Sequence, residues 1–462
     1  MPTSVHTIEG LHMTSHIPVG SPAEPVVRVD ELIEKQPMGR FHRLLLVMSG
    51  AVMFLDGFDT QAIAFVAPAL ALEWGVPKSD LGPIFSAAIA GLMVGYLILS
   101  PLARRFGHRR LVIACTFAFG VLTLACALAS NPTQLIALRF CTGAGLGAAI
   151  PSLVALTSEF APSRRRSSSV MFIYCWLALG FVAAGVVSGF VIPTLGWRYM
   201  FVIGGITPLA LILLLVKFFP ESPQYLLSRG RGHEALQILR RMDPTISASA
   251  RLEAAAETEK NASVSTGVFT VVRGRWLPNT LLLWVAFVGN LAVFYAIQSW
   301  LPTIISTLGG TPTVMITSTV LTTIGGVVAA LFIGPLMDRY NPFRTLGYVY
   351  VAGTGLVALL GLTLTGGTTA ILLVIAFLTG MAVTGGQMSI AALATVLYPV
   401  ELRSTGVGWG LGIGRLGGIA GPLIVGAALA ADMDELNVFV ILSFFLLAAC
   451  LSVFVLGARV RR

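Results

Sequence analysis

Two carboxylates, Asp56 and Asp59, stand three residues apart in Leu55-Asp56-Gly57-Phe58-Asp59-Thr60, near the middle of an apolar run from about Leu44 to Leu70. On a helix that spacing puts both on one face, and a run of that length crosses a bilayer. Ionisable groups at such depth are costly and mark the path of a proton, ion or substrate. Burial and a like-charged neighbour both favour the protonated carboxyl, so the pair is suited to hold a proton and release it where the site meets water. Gly57 offers a structural alternative, in which the two acids cap a break in the helix. His6, His12, His16, His42, His108 and His233 all fall outside the apolar runs, which leaves a carboxylate or water as the proton carrier.

A positive charge at comparable depth lies in the other half of the chain. Arg415 stands in a Gly-rich run expected to start at 404, roughly 16 Å into the membrane at the usual helical rise. It is either a counter-ion for the acidic pair or a bidentate seat for a substrate carboxylate, which the planar guanidinium suits. Arg139, in the outer part of the fourth run, either steers anions inward or makes structural hydrogen bonds. The string Gly143-Ala144-Gly145-Leu146-Gly147 lies inside an apolar run and reads as a close-packing seam rather than a phosphate loop. With no catalytic triad, metal cluster or nucleotide motif in the sequence, neither an enzyme nor a cofactor is expected.

The elements that hold these residues follow from composition. The chain has 462 residues, 56% hydrophobic and 11% charged, more apolar surface than a soluble domain of this length buries. Apolar runs near 44–70, 80–103, 111–129, 133–157, 168–193, 198–219, 279–302, 313–337, 345–366, 368–397, 404–429 and 435–458 predict twelve transmembrane helices. Arg104, Arg105, Arg109 and Arg110 follow the second run, Arg164, Arg165 and Arg166 the fourth, Arg339 and Arg344 the eighth, and Arg403 the tenth; Arg459, Arg461 and Arg462 end the chain. The alternate connections hold little besides Lys78 and Arg198, and the last is acidic, with Asp432, Asp434 and Glu435. The positive-inside rule therefore predicts cytoplasmic termini, and the net charge of +9 reads as a topology signal with no nucleic-acid partner.

The expected division is a cytoplasmic segment 1–43, a six-helix half 44–219, a cytoplasmic linker 220–278 with short helices, a second half 279–458 and a cytoplasmic tail 459–462. Residues 1–40 lack a signal-peptide core, and Val26 to Arg43 reads as a short amphipathic lead-in. Cys115, Cys126, Cys141, Cys175 and Cys450 sit in apolar runs without metal-ligand spacing and are expected to pack, with no disulfide.

The halves repeat each other. Pro101-Leu102 with Arg105 and Arg110 recurs as Pro335-Leu336 with Arg339 and Arg344, an offset of 234 that also relates Pro68 to Pro302. Pro162, Arg166 and Ser167 recur as Pro399, Arg403 and Ser404, offset by 237. At these offsets Asp56 faces Asn290, Asp59 faces Val293 and Arg415 faces Ala178, so the central negative charge belongs to one half and the positive charge to the other. Transporters built from repeats place their substrate between them.

With these pieces in place, the chain resembles the major facilitator superfamily and, within it, the aromatic acid:proton symporters, over roughly residues 30–458. The resemblance rests on Asp56-Gly57-Phe58-Asp59-Thr60-Gln61 running to Ala67-Pro68-Ala69-Leu70, on Arg139-Phe140-Cys141-Thr142-Gly143, and on Arg403-Ser404-Thr405-Gly406-Val407-Gly408-Trp409 running to Gly414-Arg415-Leu416-Gly417. It implies an all-α polytopic fold of twelve transmembrane helices in two pseudo-symmetric six-helix bundles, working by alternating access. It further implies a monomeric importer of a hydroxybenzoate-like carboxylate in the lipid of a bacterial inner membrane, driven by the proton gradient, with Asp56 and Asp59 coupling the proton. A muconate-like, non-aromatic acid is the alternative substrate, and a membrane sensor without net transport the remote alternative.

An aromatic acid also needs a ring pocket: Tyr295, Trp300 and Trp409 are candidate stacking faces beside Arg415 and Arg139, and Gln298 and Gln387 candidate partners for a ring hydroxyl. Gating falls, by the same resemblance, to Arg104, Arg105, Glu159, Arg166, Asp338, Arg339 and Arg403. The chain departs from the family pattern where Arg104 replaces the usual acid of the loop after the second helix, and where Ser152 replaces the usual Asn.

Overall fold

The computed structural model describes residues 26–247, 251–253, 272, 276–398 and 400–460. Among these, twelve helices are long and apolar enough to cross a membrane. They are α1 (Arg40–Trp74), α2 (Lys78–Val94, continued through a π turn at Gly95–Leu99 to Phe106), α3 (His108–Ala127), α4 (Pro132–Glu159), α5 (Ser163–Leu195) and α6 (Arg198–Phe218) in the first half. The second half holds α7 (Leu277–Thr307), α8 (Pro312–Arg339), α9 (Pro342–Gly366), α10 (Thr369–Leu397), α11 (Val400–Ala430) and α12 (Glu435–Val460).

Local chemistry sets several of these ends. Asn131, Thr311 and Asn341 each accept a hydrogen bond from the backbone N–H three residues on, with proline at the first helical position of α4, α8 and α9. Thr368 caps α10 in the same way. Within an apolar medium the helix satisfies its own backbone groups, so the proline-containing α1, α5 and α7 persist through Pro68, Pro193 and Pro302.

Packing repeats with the sequence. In the first half α1 packs on α5, α2 on α4 and α3 on α6; in the second α7 packs on α11, α8 on α10 and α9 on α12. The halves meet through α2 with α11 and α5 with α8, a pair of contacts related by the same repeat, and through α1 with α7. Close approach depends on missing side chains: a Cβ on Gly91, Gly143 or Gly147 would come within 1.9, 2.0 and 2.2 Å of the Phe140, Ala88 and Leu92 carbonyls.

Two expectations change and a third gains detail. Helix α1 runs unbroken through Gly57, so the acids do not cap a break; the glycine instead lets α5 approach, since a Cβ there would lie 2.1 Å from the Leu177 carbonyl. Helix α11 begins at Val400 rather than 404, which puts Arg415 in the middle of its 31 residues. The lead-in folds onto the linker: Val26–Arg28 pairs in parallel with Arg251–Glu253, and the helix Val29–Lys35 buries Val29, Leu32 and Ile33 against Leu236, Leu239 and Ile246. Glu34 then accepts from the Ser163 backbone N–H (2.8 Å) and hydroxyl (2.6 Å) at the start of α5.

Candidate functional site

Asp56 and Asp59 share a face of α1 and both are buried, yet they differ in partners. Asp59 accepts from Arg139 Nη1 of α4 at 2.6 Å, and Arg139 Nη2 donates to the Asp59 backbone carbonyl at 3.2 Å. Arg139 is 1% exposed, so its charge is spent on Asp59 inside the first half, not displayed as an anion-steering surface. One turn earlier, Asp56 Oδ1 has no hydrogen-bond partner among the described residues. It lies within electrostatic reach of Arg415, Asp59 and Arg139.

Arg415 donates from Nη1 to the Tyr295 hydroxyl of α7. Its guanidinium carbon stands 5.5 Å from the centroid of the Tyr96 ring of α2 and 5.8 Å from that of Tyr295. Tyr174 of α5 is in electrostatic reach of Tyr96, Arg415 and Asp56. A guanidinium beside phenol faces keeps its charge while remaining weakly hydrated, which suits exchange of one anionic or phenolic partner for another. The counter-ion expectation is thereby refined: Arg415 is held by a tyrosine, with Asp56 nearby but not hydrogen-bonded to it.

The seam between the halves shows on which side this group is reachable. Ser86 Oγ donates to the Ile419 carbonyl at 2.8 Å, Gln61 Nε2 donates to the Gln298 carbonyl at 3.1 Å, Gly82 lies against Pro422, and Gly185 and Gly189 lie against Val320 and Ile316. These contacts of α2 with α11, α1 with α7 and α5 with α8 fall in the portions of the helices remote from the termini. Nearer the termini, Tyr174 is 38% exposed and Arg415, at mid-helix, is only half-buried. The cluster sits where α2 and α11 of the two halves meet, with Gly412 of α11 beside Leu97 of α2 on the side of the chain termini.

The other candidates divide. Gln298 is fixed by Thr323 Oγ1 (3.0 Å) and Thr322 Oγ1 (3.2 Å) at the α7–α8 contact. Trp300 is fully buried, donates to the Pro422 carbonyl at 2.9 Å and meets the Phe85 ring edge-on, so it packs the seam instead of offering a free stacking face. Trp409 is half-buried beside Trp284, the ring centroids 6.5 Å apart. Gln387 Oε1 is buried without a hydrogen-bond partner among the described residues.

Of the gating candidates, Glu159 accepts from Ser222 Oγ and the Gln224 N–H, and the backbone carbonyls of Arg104 and Arg105 accept from Arg229. Arg166 Nε donates to the Ser158 carbonyl, and Arg339 lies over the Tyr340 ring. These first-half groups thus engage the linker and their own half. The side chains of Asp338 and Arg403 lie outside the described ones.

The sequence is matched by the family model described as Major Facilitator Superfamily, over residues 50–422 and 308–461. The chain belongs to the major facilitator superfamily. It is 37% identical over 426 residues to the 4-hydroxybenzoate transporter PcaK of Acinetobacter baylyi, covering 92% of this chain and 93% of that one. It is 34% identical to the gallate transporter of Pseudomonas putida, covering 95% and 97%. Among solved structures, a bacterial homologue of the human lysosomal transporter Spinster, in an inward-facing and occupied conformation, aligns with a TM-score of 0.71 at 15% identity over 91% of this chain and 97% of that one. The Escherichia coli xylose transporter XylE, in a partially occluded inward-open conformation, aligns at 0.69 and 18% over 89% and 97%. These two likenesses show the fold. As a member of this superfamily the chain is a membrane transporter and not an enzyme.

Sequence reasoning missed Tyr96 and Tyr174. Both lie in apolar runs where an aromatic residue reads as packing or as an interface anchor. Helical periodicity says nothing of which helices face each other across the seam, and only that arrangement brings the Tyr96 ring over Arg415 and Tyr174 within its electrostatic reach.

Proposed function

We propose that the protein is a proton-coupled importer of an aromatic carboxylate of the hydroxybenzoate type, acting as a monomer by alternating access. The observation that carries this reading is the guanidinium of Arg415 at the middle of its helix, set against two phenol rings where the halves meet, with the carboxyl of Asp56 within electrostatic reach. Arg415 seats the substrate carboxylate, the tyrosines meet the ring, and Asp56 carries the proton, while Asp59 is held by Arg139 as a fixed ion pair. Relatives whose names specify 4-hydroxybenzoate, gallate, benzoate and 3-(3-hydroxy-phenyl)propionate transport support the substrate class.

A proton moving with a monoanion makes the cycle electroneutral; each further proton adds about 2.3 kcal/mol per 100 mV of membrane potential. The arginine-rich connections support placement in a bacterial inner membrane with both termini in the cytoplasm. The reading predicts that cells producing the protein accumulate labelled 4-hydroxybenzoate, that an uncoupler abolishes this, and that muconate competes poorly. Uptake driven equally well by muconate would move the assignment to non-aromatic acids, and binding without uptake would make the protein a sensor.

A further inference from the structure

Helix α2 leaves α-helical geometry at Gly95–Leu99, a five-residue π turn followed by a tighter turn at Ser100–Leu102. Its counterpart in the repeat, α8, runs from Pro312 to Arg339 as an uninterrupted α-helix, and Tyr96 corresponds there to Ala330. The repeated fold does not require the turn. Such turns re-aim side chains and recur at functional sites. This one contains Tyr96, whose ring faces the Arg415 guanidinium from the opposite half of the molecule.

Tyr295, the other ring at this guanidinium, is clamped. It lies against the α11 backbone at Gly418, where a Cβ would come 2.7 Å from its Cδ2, and it meets the Phe294 ring at 5.0 Å. Tyr96, by contrast, is half-buried, in the turn where α2 faces α11. In an arenecarboxylate the carboxyl is bonded directly to the ring, so a carboxylate on Arg415 brings the ring within a few ångströms of the guanidinium. Of the two first-half tyrosines near this group, Tyr96 is the one whose ring lies over the guanidinium, at 5.5 Å.

On the reading that Arg415 seats a carboxylate, we propose that Tyr96 is a specificity-determining residue, stacking on the substrate ring and selecting planar aromatic acids over aliphatic acids of equal charge and width. Because Tyr96 belongs to the first half and Arg415 to the second, the bound ring bridges the two bodies that move in alternating access. Stacked aromatic pairs add specific stabilisation beyond the area they bury, and that increment is absent for a saturated ring.

The test is calorimetric binding of benzoate and of cyclohexanecarboxylate to purified protein. Wild type should prefer benzoate. Tyr96→Ala should weaken benzoate by up to about tenfold through lost stacking, while leaving cyclohexanecarboxylate within about twofold; Tyr96→Phe should match wild type. Tyr96→Leu, close in volume, takes the place of the alanine variant should that one fail to fold. Equal weakening of both acids, no weakening of either, or a phenylalanine variant that behaves like alanine would each overturn the assignment. Should wild type bind neither acid, the carboxylate reading itself fails; should Arg415→Lys lose benzoate while the Tyr96 variants keep it, only the role of Tyr96 falls.

Discussion

Asp59 and Arg139 close on each other inside the first half, with Nη1 to Oδ2 at 2.6 Å and Nη2 on the Asp59 backbone carbonyl, both side chains shielded from solvent. Asp56, one helical turn away, has no such partner. Two acids that look equivalent in sequence are thereby separated, one neutralised within its own half and the other within electrostatic reach of the guanidinium of the opposite half.

Breaking the Asp59–Arg139 pair on one side leaves an uncompensated buried charge, which costs about 3–5 kcal/mol. Asp59→Leu and Arg139→Met should each lower the melting temperature of the detergent-solubilised protein sharply, and the double variant should recover most of the loss. A double variant no more stable than either single one would show that the pair does more than neutralise itself.

Arg415→Lys keeps the charge but loses the planar fork. Substrate affinity should fall on the order of tenfold or more, in line with about 1.5–3 kcal/mol for a hydrogen bond to a charged group. The amide of the preferred acid should bind wild type poorly and be discriminated less by the variant. Titration of acid and amide into both proteins measures this, and wild-type affinities in the lysine variant would place the carboxylate elsewhere.

Outside the membrane, hydrogen bonds from the Ser163 hydroxyl and backbone hold the Glu34 carboxyl below its ordinary value of 4.5. A lowered folded-state value means that the contribution of Glu34 to docking of Val29–Lys35 is present above pH 4.5 and is lost as pH falls through the lowered value. Hydrogen-exchange protection across residues 29–35, taken relative to the intrinsic rate at each pH, should therefore fall on acidification below pH 4.5, and Glu34→Gln should be less protected already at neutral pH with a flatter profile. Identical pH profiles in the two proteins would assign the docking to the apolar contacts of Leu32 and Ile33 alone.

The helices were legible because length and apolarity alone define a membrane span, and the repeat was legible from prolines and arginines in register. Asp56 and Arg415 stood out because charge at that depth is conspicuous. What the sequence did not carry is pairing between helices. Arg139 and Asp59 are 80 residues apart, and nothing in either run says that they meet. Trp300 looked like a ring platform, but its indole N–H is taken by the Pro422 carbonyl. The π turn that contains Tyr96 leaves no periodicity signal, and Gly57 suggests a helix break where it in fact admits the α5 backbone. The lead-in was recognisable as amphipathic, whereas its docking on Leu236, Leu239 and Ile246 depends on a contact across some 200 residues of chain.

If Asp56 carries the proton that drives uptake of an acid seated at Arg415, transport by purified protein in liposomes, with labelled 4-hydroxybenzoate outside and an imposed inward proton gradient, will separate wild type from Asp56→Asn. Wild type should concentrate the label and acidify the lumen in step with it. Asp56→Asn, which keeps the shape but cannot release a proton, should exchange labelled for unlabelled substrate while failing to accumulate it. Gradient-driven accumulation by Asp56→Asn at the wild-type level would contradict the account.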